Sequence, residues 1–204
     1  MPHAPAITTI LFDYGGVLAE EGFTQGLAAI AKENSLDPAP FFRTATEAIY
    51  ACGYVTGKST EQAYWQLLRS QTGITGEDQT LTEAILSRFI LRPAMLAAVR
   101  SLRKQGLNPV ILSDQTDWLD RLNARQPFFQ EFSRVFNSFH LGKTKREPSL
   151  FSDVLTALKV QPGQALFVDD NQGHIARATA LGLNTHLFQN ESLFFTDLAR
   201  RGLA

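Results

Sequence analysis

The sequence predicts an α/β protein: a parallel sheet with helices on both faces, Rossmann-like in its alternation, interrupted near its start by an all-helical insertion. Three observations carry this. From residue 108 onward, short apolar runs alternate with segments of helical periodicity. A lone apolar run, Ile7 to Phe12, stands far ahead of them. Between the two, residues 20–90 read mostly as helix. Strands buried on both faces of a parallel sheet show as continuous apolar runs, and a helix is their usual crossover.

Ile7 to Phe12 is short, β-rich and followed by Asp-x-Gly-Gly, which favours a central strand over a helix. Phe41, Ala45, Ala48, Ile49 and Cys52 then form one stripe of a helix that Gly53 stops. Ser59 to Gln62 and Thr80 to Glu83 both read as capping boxes opening further helices. Pro93 suits a first helical turn, and Met95, Leu96, Val99 and Leu102 line one face until Gly106. Beyond it the spacing predicts strands at 108–114, 134–139, 165–170 and 184–188. Helices are predicted at 117–126, 148–159, 173–182 and 192–201. The expected division is an α/β core of residues 1–18 and 91–204 with a helical cap of residues 19–90. No repeat or low-complexity segment interrupts it.

Acidic and basic side chains nearly cancel over the 204 residues, at a formal net charge of -1, so there is no electrostatic footprint for nucleic acid or an acidic membrane surface. Cys52 is the single cysteine, which rules out an intrachain disulfide and a cysteine-rich metal site. A reducing, cytoplasmic setting is expected. Neither an export signal nor a membrane span is read in the sequence.

In open parallel sheets the ligand site lies off the carboxyl ends of the strands. Reading those ends in order gives Asp13, then Ser113 with Asp114, then Lys145 past the third strand, then Asp169 with Asp170. Carboxylates gathered at one rim repel: two unit charges ~4 Å apart cost about 4 kcal/mol at an effective dielectric near 20. A lysine and a hard divalent cation such as Mg²⁺ would supply the missing positive charge. Gly15 lets the main chain approach, so its carbonyl is a candidate ligand. Each residue also has a plainer role open to it. Asp13 can cap a turn, while Ser113, Asp114, Asp169 and Asp170 can cap the helices that follow them. His140 and His174 read as ordinary loop or helix residues, Phe41, Phe42, Tyr64 and Trp65 as core of the helical insertion, and Cys52 as a small packed hydrophobe.

The stretches FDYGGVL, VILSDQTD, LGKTKREPSLF and ALFVDDNQGHIARATALG resemble, in order and spacing, the four motifs of the haloacid dehalogenase-like hydrolase superfamily, subfamily I. Its helical cap is inserted after the first strand, and TGKSTEQAYWQLL looks like a segment of such a cap. The resemblance implies a Mg²⁺-dependent phosphatase acting on a small phosphorylated metabolite, such as a sugar phosphate, through an aspartyl-phosphate. Asp13 would be the nucleophile, Ser113 and Asp114 would lie at the phosphate, and Lys145 would neutralise nucleophile and phosphoryl oxygens. Asp13, the Gly15 carbonyl, Asp169 and Asp170 would hold the metal. Lys143 competes with Lys145 for the role of the amine.

The chain departs from the family pattern at Gly15, where active phosphatases usually carry a second aspartate as general acid and base. Positioned acid–base help is worth ~10²–10⁴-fold, so its omission slows departure of a poor leaving group. Three consequences are open: a leaving group that needs little protonation, a substitute acid such as Glu20, Glu21 or a water, or a protein that binds a phosphorylated ligand or partner without turning it over. Dehalogenation fits less well, since members doing that chemistry have tyrosine at the second position and use no metal. Asp114, where asparagine commonly follows the serine, adds a negative charge that must point away from phosphate or meet a cation.

Overall fold

A computed structural model describes residues 6–203. Its sheet is built from β1 (Thr9–Phe12), β2 (Asn108–Ser113), β3 (Arg134–Asn137), β4 (Ala165–Asp169) and β5 (Asn184–Leu187), in the order β3-β2-β1-β4-β5, with every pair parallel. β1 lies in the middle, Phe12 facing Ile111 on one side and Val168 on the other. The strand side chains alternate between two cores. Ile10, Phe12, Ile111 and Val168 pack in one, with Met95 and Val99 of α5 (Pro93–Lys104) and Phe194 and Leu198 of the last helix (Glu191–Arg200). Leu11, Val110, Leu112 and Phe167 pack in the other, against the helices that follow β3 and β4. Period-two alternation with both faces apolar demands helices on both sides, which is the doubly wound α/β architecture.

Between β1 and α5 come α1 (Gly22–Glu33), α2 (Pro38–Ala51), α3 (Glu61–Thr72) and α4 (Asp78–Leu86). α2 buries Phe41, Ala45, Ala48 and Ile49, and its chain turns away at Gly53, whose φ of 81° suits glycine. α1 and α4 approach closely at Gly26, where a Cβ would stand 2.6 Å from the Ile85 Cα. No helix among the described residues is long and apolar enough to cross a membrane.

Several sequence expectations shift. The first strand begins at Thr9, not Ile7, and the last ends at Leu187. The strand expected over 134–139 stops at Asn137, because the Asn137 side chain accepts the Phe139 N–H and opens a one-turn helix, Ser138–Leu141. The N-cap of α3 is Thr60 rather than Ser59, its hydroxyl accepting the Ala63 N–H. α4 starts at Asp78, so Thr80 lies inside the helix and forms no capping box.

The one-residue shift at α3 has a structural result. Glu61, now the first helical residue, reaches from the insertion to α6 (Trp118–Arg125) of the α/β unit. Its Oε1 accepts the Trp118 Nε1–H (2.7 Å), an Arg121 N–H (2.9 Å) and the Thr82 hydroxyl (2.6 Å), and Thr82 Oγ1 in turn accepts the Trp65 Nε1–H (2.9 Å). Truncation leaves the buried Trp118 N–H without an acceptor, a loss of about 1–3 kcal/mol. In urea unfolding, Glu61→Ala is expected to lower the unfolding free energy by that amount, read as a lower midpoint at unchanged slope, and Glu61→Gln, which keeps an acceptor oxygen, by clearly less.

Candidate active site

The carboxyl ends of the three adjacent strands β1, β2 and β4 bring the chemical groups together. Asp13 follows β1 directly and stays in line with the sheet because its N–H donates to the Val168 carbonyl at 2.9 Å. Its Oδ1 accepts the Tyr14 N–H (2.7 Å) and the Ser113 hydroxyl (2.6 Å). Oδ2 faces the Lys145 ammonium at 2.8 Å. The same ammonium donates to Asp169 Oδ2 at 2.6 Å. Lys145 and Asp169 are both wholly buried (0% exposed), and Asp13 is buried as well.

Around this ion cluster lies a set of supports. Asp169 Oδ1 accepts the Asn171 N–H (2.7 Å), and Asn171 itself caps the helix Gln172–Ala180 by accepting the Gly173 and His174 N–H groups. The His174 Nδ1 sits 3.3 Å from both Asp169 oxygens, so the reading of His174 as an ordinary helix residue is corrected. Asp114 accepts the Lys145 backbone N–H with both oxygens (2.9 and 3.1 Å) and the Tyr50 hydroxyl (3.2 Å). Its negative charge is thus directed at the chain that carries the lysine. Lys143 is exposed and paired with Asp153, away from Asp13, while His140 is exposed and pairs with Asp120.

One lysine does not balance these acids. Burial, reinforced by Asp169 and Asp170, pushes the Asp13 carboxyl up to about 8 against the pull of Lys145. Burial and the Asp169 charge push Asp170 up to about 6. Burial also raises Asp114, against Lys145. Burial acts upward on Asp169 too, yet Lys145 and His174 hold it well below the ordinary carboxylate range. Burial opposes the Lys145 charge, but Asp13, Asp169 and Asp114 keep it above the ordinary lysine range. Asp13, Asp169 and Asp170 each place an oxygen within 4.8 Å of the others. An all-oxygen set that is short of positive charge suits a hard divalent cation.

Two glycines follow Asp13 for different reasons. Gly16 has φ 76°, and a Cβ on it would lie 2.1 Å from Asp170 Oδ2, so only a bare left-handed residue leaves that acid its place. Gly15 lines the cleft, and a Cβ there would meet the Phe89 ring at 3.2 Å and Glu21 Oε1 at 3.4 Å. Glu20 is drawn off by Arg92 at 3.2 Å. Glu21 caps α1 with one oxygen, accepting the Thr24 N–H at 2.6 Å, and lines the cleft.

Asp13, Ser113, Asp114, Lys145 and Asp170 open into a cavity of about 160 Å³. Its opposite wall comes from the helical insertion and α6: Phe23, Phe42, Thr46, Tyr50 and Trp118. Phe42, expected in the core of the insertion, is only half-buried and faces this cavity, whereas Phe41, Tyr64 and Trp65 are buried.

Sheet order, inserted helices and an acid at the end of the central strand define a class, and the chain belongs to the haloacid dehalogenase-like hydrolases, whose family model matches residues 7–182. It is similar to the D-ribitol-5-phosphate phosphatase of Bacteroides thetaiotaomicron, at 25% identity over 203 residues covering 91% of this chain and 93% of that one. It is also similar to mouse bifunctional epoxide hydrolase 2, at 28% identity over 129 residues, but those residues are 60% of this chain and 23% of that much longer protein. The fold matches a crystal structure of a HAD family enzyme from B. thetaiotaomicron with a TM-score of 0.75 at 21% identity, over 94% of this chain and 99% of that one. Another structure of that enzyme is a complex with magnesium and inorganic phosphate, matching with a TM-score of 0.67 at 20% identity over 93% and 100% of the two chains.

The raised acids set a pH dependence. In the folded, metal-free chain Asp13 and Asp170 hold their protons to higher pH than in the unfolded chain, so the native state binds more protons and stability falls as pH rises from about 4 through the folded values of about 6 and 8. Asp169, lowered in the fold, is ionised in both states above pH 5 and contributes no slope there. Thermal unfolding in chelator is expected to show a melting temperature that declines between pH 5 and 8, with Asp13→Asn removing most of the decline.

Proposed function

We propose that the chain is a Mg²⁺-dependent phosphatase that hydrolyses a small phosphorylated metabolite through an aspartyl-phosphate on Asp13, working in a reducing cytoplasm. Residues 1–18 and 91–204 would serve as catalytic core and 19–90 as cap. The observation that carries the reading is the cluster of Asp13, Asp169 and Asp170 about Lys145 at the floor of the cleft. The phosphatase relative and the magnesium and phosphate bound by the B. thetaiotaomicron enzyme support it.

Asp13, Asp169 and Asp170, with the Gly15 carbonyl, would hold the cation, whose charge offsets the acids and the phosphoryl oxygens. The chain's own residues perform the rest. Ser113 and the Tyr14 N–H fix one Asp13 oxygen, which orients the carboxylate for in-line attack on phosphorus. The P–O bond to the alcohol breaks as the Asp13–phosphorus bond forms, and Lys145 stabilises charge on the transferring group. Water then attacks the acyl phosphate, releasing phosphate and regenerating Asp13. The alcohol must leave with a proton, and Gly15 has none to give. Glu21 is the carboxylate beside that vacant position, and we assign it this transfer. Bare Gly15 also favours a second reading, a phosphoester-binding protein without turnover.

Phosphate release from acetyl phosphate and sugar 1-phosphates separates the two. The phosphatase reading expects Mg²⁺-supported release that chelation abolishes and that Asp13→Asn lowers by about a thousandfold or more. Absence of release across phosphoesters of every leaving-group acidity would leave the binding reading. Glu21→Gln, which keeps an oxygen to cap α1, is expected to slow sugar-phosphate turnover by about 10²-fold while acetyl phosphate, whose leaving group needs no proton, changes little. Adding Gly15→Asp to Glu21→Gln is expected to recover part of that loss.

A further inference from the structure

α2 turns one face to the core and the neighbouring face to the cleft. Phe42, Thr46 and Tyr50, four residues apart, line that second face. The Thr46 hydroxyl is shut off from solvent and has no hydrogen-bond partner in the protein. A helical threonine ordinarily bonds back to the carbonyl four residues earlier, as Thr72 does to Leu68, and Thr46 does not. Of the buried polar side-chain atoms left without a partner among the described residues, Thr46 Oγ1 alone belongs to the cleft lining. A buried hydroxyl without a partner is unfavourable unless a ligand completes it.

The charges of the cleft say what kind of ligand that is. Among the described lining residues the side chains able to carry positive charge are Lys145 and His174, and both are engaged by Asp169. Glu21, Asp114 and Asp170 are acidic. Among the described lining residues no side chain remains to offer a cation to a carboxylate or a second phosphate at the far end of a substrate, and Arg146, outside the lining, is paired with Glu47 at 3.2 Å. Phe23, Phe42 and Trp118 offer hydrocarbon and ring faces instead, with Phe23 6.3 Å from Phe42 and 6.4 Å from Trp118 between ring centroids. The Tyr50 ring, which a cationic ligand would seek, already carries the Arg146 guanidinium 3.5 Å from its centroid.

Building on the phosphatase reading, we propose that Thr46 is a specificity-determining residue: its hydroxyl pairs with a hydroxyl on the alcohol half of the substrate, which is uncharged and lays its C–H face on Phe23, Phe42 and Trp118. The substrate class is then a monophosphate of a compact neutral polyhydroxy compound, to the exclusion of phosphorylated amino acids, phosphocarboxylates and bisphosphates.

The test measures binding by calorimetry, with Mg²⁺ present, to the full chain carrying Asp13→Asn so that no probe is consumed. Ribose 5-phosphate is expected to bind at least about tenfold more tightly than phosphoserine, 3-phosphoglycerate or phosphocholine. Adding Thr46→Val is expected to weaken ribose 5-phosphate by about two- to twelvefold, the loss of one neutral hydrogen bond, and to leave phenyl phosphate and inorganic phosphate unchanged. Thr46→Ser, which restores the hydroxyl, is expected to recover ribose 5-phosphate binding. The proposal is overturned by any of four results: no ribose 5-phosphate binding, equal binding of a charged probe, no effect of Thr46→Val, or an equal loss on phenyl phosphate. Turnover by the chain with Asp13 intact reports on the phosphatase reading alone, so discrimination without phosphate release would end that reading and leave this one standing.

Discussion

The Lys145 ammonium, closed off from water between Asp13 and Asp169, is the interaction on which the rest of this site depends. A buried ion pair is weak evidence for stability, because desolvating both charges consumes most of their attraction. Its value here is geometric. The lysine holds two strand-end carboxylates side by side that would otherwise separate, and it does so only because β1 and β4 are neighbours in the sheet. Asp114 fixes the backbone from which the lysine extends, and Phe167 lies beneath its ammonium at 5.8 Å. Asp13 and Asp170 nevertheless stay short of compensation, which leaves the cluster receptive to one further cation.

The inserted helices complete the cleft by being anchored to the loops that carry the chemistry. Tyr50 of α2 donates to Asp114, the Tyr54 hydroxyl donates to Asp117, and the single Ser138 O–H is shared between the Val55 and Gln115 carbonyls, 2.8 and 3.1 Å away. Glu61 adds the link to Trp118 and Arg121. The segment 114–118 is therefore gripped from both sides: by strand ends below and by the insertion above. Under the proposed function, the residues assigned to the phosphate and those assigned to the alcohol half would meet along this one stretch.

Much of this architecture was legible in the linear pattern. Strand positions follow from apolar runs, and Asp13, Ser113 and Asp169 are conspicuous because each ends such a run. Lys145 was harder to separate from Lys143, since both sit in one loop and only the fold shows one turned inward. His174 carries no local signal at all: a single histidine in a short amphipathic helix gains its partner from a strand end five residues back, through a turn that Asn171 shapes. Phe42 and Thr46 escaped for a different reason. Helical periodicity identifies the buried stripe Phe41, Ala45, Ala48 and Ile49, but it does not distinguish an adjacent face that meets a cavity from one that meets solvent. Ser59 and Thr60 are both good caps, so the linear pattern leaves the start of α3 open by one residue; the fold uses Thr60, which sets Glu61 against Trp118 and Arg121.

Gly16 carries a consequence for how this chain can vary. Every single-base change that replaces a glycine codon with another amino acid inserts at least a methyl group, and at this position the space belongs to a carboxylate oxygen. Random drift at the neighbouring surface of the protein can be absorbed by small side-chain adjustments, whereas here the first atom added evicts an acid from the cluster. A substitution at this one site would therefore be paid for by the Asp170 carboxylate itself, before any contact elsewhere in the protein is disturbed.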